Sequence, residues 1–142
     1  MLRTLLAAAL LATVLAPAVR AQTLDDLRWR NRILVLASAD AASPGMREQE
    51  RLLLTDRSAL AERELVVLAI EGQTLRAVFG KALADETAET LRRRFGFDPT
   101  ISFRAVLVGK DGGVKWSAEA PAPLTEINAV IDAMPMRRAD AR

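Results

Sequence analysis

Residues 109–116 read GKDGGVKW and follow the apolar run FRAVLV, so three glycines and a lysine fall within five positions. Such a cluster has two physical uses, a loop that cradles phosphate or the tight turn of a β-hairpin. A phosphate loop needs its two glycines five apart, then Lys and a hydroxyl residue, and it leads from a strand into a helix. Here Asp111 stands where the hydroxyl would be, its charge repels phosphate, and VKWSA reads as a strand. Asp-Gly between two β runs supplies the backbone conformation of a hairpin turn. The spacing therefore predicts a turn with structural glycines.

Other chemistry-bearing residues are sparse. Asp85, Glu86 and Glu89 put acids at i and i+4 on one helix face, the minimum of a hard-cation site. No third ligand lies within reach in sequence, and acids at a helix start are more often partners of its dipole. Asp25-Asp26 is no better as a metal site. Ser43 and Ser58 are the hydroxyls to consider as nucleophiles, yet the chain has no histidine to activate them. It has no cysteine either, which removes the thiol nucleophile and the thiolate ligand. Together these absences exclude thiol redox chemistry and the commonest acid–base and metal chemistry. No metal and no cofactor is implied.

The elements that position these residues follow from hydrophobic pattern. RILVLAS (32–38) and ELVVLAIEG (64–72) read as buried strands. Between them a helix spans roughly 44–61, with Ser43 as N-cap, Pro44 at its first position and a break near Thr55-Asp56. Residues 73–83 read as loop, with at most a short extended piece. Asp85 opens a second helix, whose apolar face carries Ala84, Ala88, Leu91 and Phe95. Arg92, Arg93 and Arg94 complement its C-terminal dipole, and Gly96 ends it. SFRAVLV and VKWSA form the hairpin. A last helix starts near Pro123, buries Leu124, Ile127, Ile131 and Met134, and stops at Pro135. The order β-α-β-α-β-β-α predicts an α/β fold of thioredoxin-like type, with a central mixed sheet, a β-hairpin and helices on both faces.

The first 21 residues give an address. Arg3 precedes an apolar stretch from Leu5 to Leu15, Pro17 breaks it, and Val19-Arg20-Ala21 suits cleavage before Gln22. The run falls short of the ~20 apolar residues that span a bilayer, so residues 1–21 read as a signal peptide and 22–142 as one domain. The expected location is the periplasm or the cell exterior. Without Arg3 and Arg20, eighteen Lys and Arg balance eighteen Asp and Glu. A neutral exported domain is a poor nucleic-acid binder, and after cleavage nothing ties it to a membrane. The expected state is a monomer.

RWRNRILVLAS, FRAVLVGKDGGVKW and IDAMPMRR resemble an uncharacterised peroxiredoxin-like domain family of single-domain secreted bacterial proteins. Related domains lie in animal extracellular proteins of the sushi-repeat-containing and coiled-coil-domain-containing types. The resemblance spans nearly all of 22–142 and implies a thioredoxin-like fold with no established activity. Peroxiredoxins carry a cysteine in the first turn of the helix after the first core strand, and an arginine at the start of the strand before the hairpin. Here the helix start is ASPGMRE, without cysteine, and Arg104 occupies the arginine position. Ser43 and Arg104 are thus the candidate contacts of an emptied site that takes a small anion. Trp29, Trp116, Met136 and Arg137 are candidate residues of a partner surface. The expected function is a non-catalytic binding or interaction module for an unknown protein or small anionic ligand. The alternative is a cofactor-independent enzyme, or a small-anion binder, built on Ser43 and Arg104.

Overall fold

The computed structural model describes residues 22–140; the segment read as a signal peptide lies outside them. Strand β1 (Arg32–Ser38) is buried along its whole length and forms the middle of a five-stranded sheet of order β3-β2-β1-β4-β5. A strand covered on both faces has no polar side to alternate with, which is why RILVLAS reads as a continuous apolar run. It pairs in parallel with β2 (Leu65–Glu71) and antiparallel with β4 (Arg104–Val108). Antiparallel edges are added by β3 (Thr74–Phe79) next to β2 and β5 (Val114–Ala118) next to β4.

Two apolar layers flank the sheet. One face packs Leu34, Leu36, Val67 and Leu107 against helices α1 (Pro44–Leu53), α2 (Arg57–Glu62) and α4 (Leu124–Asp132) through Met46, Leu60 and Ile127. The opposite face packs Val35, Leu68 and Val106 against helix α3 (Ala88–Phe95), through Leu91, and against Leu24 and Leu27 of the N-terminal segment. The order is thus a mixed α/β arrangement with helices on both faces. The predicted hairpin and the predicted helix break are both present, the latter at Leu54–Asp56 where Asp56 caps α2 through Ala59 N–H.

Three expectations need correction. Residues 74–79 form a full edge strand, joined to β2 by the two-residue turn Gly72-Gln73, with Gly72 at φ +59°. Its pattern is diluted because an edge strand is only half covered and because Arg76 sits mid-strand, bonded to Glu71 and Glu50. Helix α3 starts at Ala88, not Asp85. The Thr87 hydroxyl accepts the Thr90 N–H at 3.1 Å and sets the start, leaving Ala84 and Asp85 exposed in a turn. Pro135 does not end the last helical segment. After a break at Ala133–Met134 it opens α5 (Pro135–Asp140), a position that suits its missing N–H.

Polar side chains hold the helices in place. Gln49 is fully buried and exchanges both amide hydrogen bonds with the backbone of Ala122, at 2.9 and 2.8 Å, which fastens α1 to the approach of α4. Arg63 donates twice to the Asp132 carboxylate, at 3.0 and 2.8 Å, and Arg137 joins Asp132 to Glu62. These bonds tie α2, α4 and α5 together.

The Arg63 hydrogen bonds hold the Asp132 carboxyl below the usual aspartate range. A carboxylate whose folded pKa is lowered stabilises the fold above its unfolded pKa, and this contribution is lost as pH falls through the folded value. Denaturant melts from pH 7 down to 2 should therefore show stability falling below about pH 4, the unperturbed aspartate value. Asp132→Asn should be less stable at pH 7 and show a shallower acid limb. An acid limb identical in the two proteins would contradict the role given to Asp132.

Candidate functional site

Ser43 is positioned by the turn that leads from β1 into α1. Its hydroxyl accepts the Met46 N–H at 3.3 Å and donates to the Ser102 carbonyl at 2.7 Å, and the residue is 8% exposed. Both hydrogen-bonding roles of the oxygen are in use. Gly45 lies directly on Phe103, so close that a Cβ there would sit 2.8 Å from the phenylalanine Cβ. The first turn of α1 is therefore seated against the chain entering β4.

Arg104 is the first residue of β4, opposite Ala37 of β1. Side chains alternate along a strand. Phe103, Ala105 and Leu107 belong to the α1 face, whereas Val106 and Val108 belong to the α3 face. Arg104 falls with the second set, as does its neighbour Ala37. Ser43 and Arg104 thus share an edge of the sheet but lie on opposite faces. Arg104 is half-buried, and its Nε is buried without a hydrogen-bond partner.

The expected partner surface is divided. Trp29 is 64% exposed and holds a left-handed backbone, φ +67°, which is costly for a bulky residue. Its N–H donates to the Lys110 carbonyl at 2.7 Å. Trp116 instead packs against the α1-face core at the edge strand β5. Met136 is exposed on α5, but Arg137 is held by Glu62 and Asp132 and is no free cation.

The glycine-rich stretch closes on itself. Gly109 N–H donates to Gly113 O at 2.9 Å, Gly112 N–H donates to Gly109 O at 3.0 Å, and Gly112 has φ +84°. Asp111 accepts from Gly113 N–H and from Lys115, and Lys115 chiefly holds its carboxyl below the ordinary range. Lys110 is ion-paired with Glu64 across to the turn before β2. The N–H groups of all three glycines are spent within the loop, which is the geometry of a turn. The acids Asp85, Glu86 and Glu89 do not converge. Glu86 accepts the Leu24 N–H at 3.0 Å and Glu89 pairs with Arg93, and no metal-binding group of three acids forms among the described residues.

The residue missed in the sequence is Arg92. It is 9% exposed, not a solvated helix-end cation. Its Nη2 donates to Ser38 O at 2.6 Å and Gly72 O at 3.0 Å, its Nε to Gly72 O at 3.2 Å, and its Nη1 reaches Asp98 O at 3.5 Å. Among the described residues no carboxylate pairs with it. Arg92 lines an open cavity of about 590 Å³, together with Gly72, Gln73, Thr87, Ala88 and Glu89. A sequence signal did exist: Ala88, Leu91, Arg92 and Phe95 fall at i, i+3, i+4 and i+7, so Arg92 lies on the apolar stripe.

A domain of unknown function, DUF4174, matches residues 23–140, and the chain belongs to that family. No curated protein and no solved structure matches the chain.

The hairpin makes a contrast that stability measurements can read. Gly112→Val, forced into a left-handed backbone against Arg28, should cost about 1–3 kcal/mol. Lys110→Ala removes a mostly covered ion-pair partner and should cost up to about 1 kcal/mol, more than an ordinary surface change. Lys110→Ala that keeps full stability but loses binding to phosphate or nucleotide would overturn the assignment as a turn.

Proposed function

We propose that this DUF4174 domain is an exported, monomeric, non-catalytic binding domain of thioredoxin-like fold. Several features support the fold. In the β2-β1-β4-β5 core, the first pair is parallel and the last two strands form an antiparallel hairpin. Helices α1–α2 and α3 make the crossovers and α4 closes the chain. Strand β3 extends the far edge of this core.

The single observation that carries the non-catalytic reading is the state of Ser43. It sits where the resemblance places a peroxiredoxin's reactive cysteine, and its hydroxyl is a buried cap bonded on both sides. A serine so held has no base to take its proton, in a chain without histidine or cysteine. The leader-like first 21 residues support export, and among the described residues no helix is long and apolar enough to cross a membrane. The ligand is a protein or a small anion. Purified protein should show no peroxide, disulfide-reductase or isomerase turnover, since each such reaction passes through a thiolate. Turnover of peroxide with thioredoxin or glutathione above a heat-killed control would sink the reading.

A second reading, a small-anion contact at Arg104, is favoured by its buried, unpartnered Nε. Its site would not include Ser43, which faces the other side. If Arg104 holds an anion, Arg104→Ala should weaken binding by about 1.5–3 kcal/mol, the worth of a charged hydrogen bond. A thermal-shift screen of small anions on both proteins checks this, and hits that bind both equally well would exclude it.

A further inference from the structure

We infer that the cavity beside Arg92, whose lining includes neither Ser43 nor Arg104, is a binding site for a small carboxylate. The inference deepens the reading of a non-catalytic binding domain by naming a site and a ligand class. The wall supplies a buried positive charge. The Arg92 guanidinium is satisfied by three main-chain carbonyls, those of Ser38, Gly72 and Asp98, which solvate the cation without cancelling it. The one acid that is adjacent through its own main chain, Asp98, turns its carboxylate to the N–H and hydroxyl of Thr100, at 2.8 and 2.7 Å. Among the described residues Arg92 has no ion-pair partner, so this corner carries an unneutralised charge beside open volume. Burying a charge without a counter-charge is costly, and an incoming anion relieves that cost.

The lining also includes the start of α3, one turn before Arg92 on the same helix. Thr87 takes the Thr90 N–H through its hydroxyl and the Leu91 N–H through its carbonyl. Helix geometry leaves the N–H groups of Ala88 and Glu89 without intrahelical partners at this end. Guanidinium and helix start thus line one cavity, together with Gln73, with room for a molecule of several heavy atoms.

Charge decides the class. One buried cation matches one carboxylate. Glu89, also in the wall, is a carboxylate paired with Arg93 at 3.0 Å. A phosphate dianion would bring an excess negative charge against it.

The test is amide and arginine side-chain NMR of the 15N-labelled protein, titrated at fixed ionic strength with acetate, propionate or inorganic phosphate. Acetate and propionate should give saturable shifts at Gly72, Gln73, Ala88, Glu89 and the Arg92 Nε–H, with phosphate weaker. Removing the like charge with Glu89→Gln should tighten propionate about threefold, the size expected of a solvent-screened repulsion. Arg92→Lys, which keeps charge but loses the fork, should weaken it about tenfold. Glu89 is exposed and outside the Arg92 clasp, so its variant decides the matter whatever the fate of Arg92→Lys. Absence of saturable shifts at these residues, phosphate binding more tightly than propionate, or an unchanged affinity in Glu89→Gln would overturn the proposal. None of these outcomes bears on turnover, which tests the non-catalytic reading separately.

Discussion

The sheet's carboxyl end is organised around one buried cation. Arg92 projects from α3 to the point where β1 and β2 end, and there it gathers the carbonyls of Ser38 and Gly72. Gly72 N–H donates to the same Ser38 carbonyl at 3.1 Å. Main-chain groups at strand ends lose their ladder partners and must find others. A single guanidinium, with five donors in a fixed fork, satisfies several at once. In return the carbonyls supply the solvation that the buried charge would otherwise lose. Helix α3, the β2–β3 turn and the loop at Asp98 are fixed relative to one another by this exchange.

The other face uses neutral groups for the same purpose. Ser43 joins the start of α1 to Ser102, and Gln49 joins the middle of α1 to Ala122. Each side chain is consumed by structure. What the fold presents as chemistry at the start of α1 is therefore a closed cap, whereas the open volume lies beyond the sheet, at the start of α3.

Much of this was legible in sequence because it depends on local rules. RILVLAS is β1 to the residue, Ser43-Pro44 opens α1, and Asp-Gly makes the hairpin, each from the identity of a few neighbours. Two of the three errors in the fold arise where tertiary contacts override local preference. Edge strand β3 tolerates Arg76 because Glu50, on a helix distant in sequence, receives it. Pro135 opens a helix because α5 has partners in Glu62 and Asp132. The proposed pairing of Ser43 with Arg104 rested on the resemblance to peroxiredoxins; the pleat separates them, since Arg104 follows Phe103, which faces α1. Arg92 was hidden by its neighbours, for three consecutive arginines read as complements of the helix dipole. Only its place on the apolar stripe distinguished it.

The account stands on Arg92 being a buried, carbonyl-bound cation while Arg93 and Arg94 remain in solvent. Hydrogen exchange of the arginine Nε–H groups, followed by NMR at pH 6 on the unliganded protein, measures this directly. The Arg92 Nε–H, bonded to Gly72 O at 3.2 Å, should exchange at least ten times more slowly than those of Arg93 and Arg94, as an opening equilibrium must precede it. Equal exchange rates for all three would show that Arg92 is solvated, and the organisation described for the sheet's carboxyl end would be wrong.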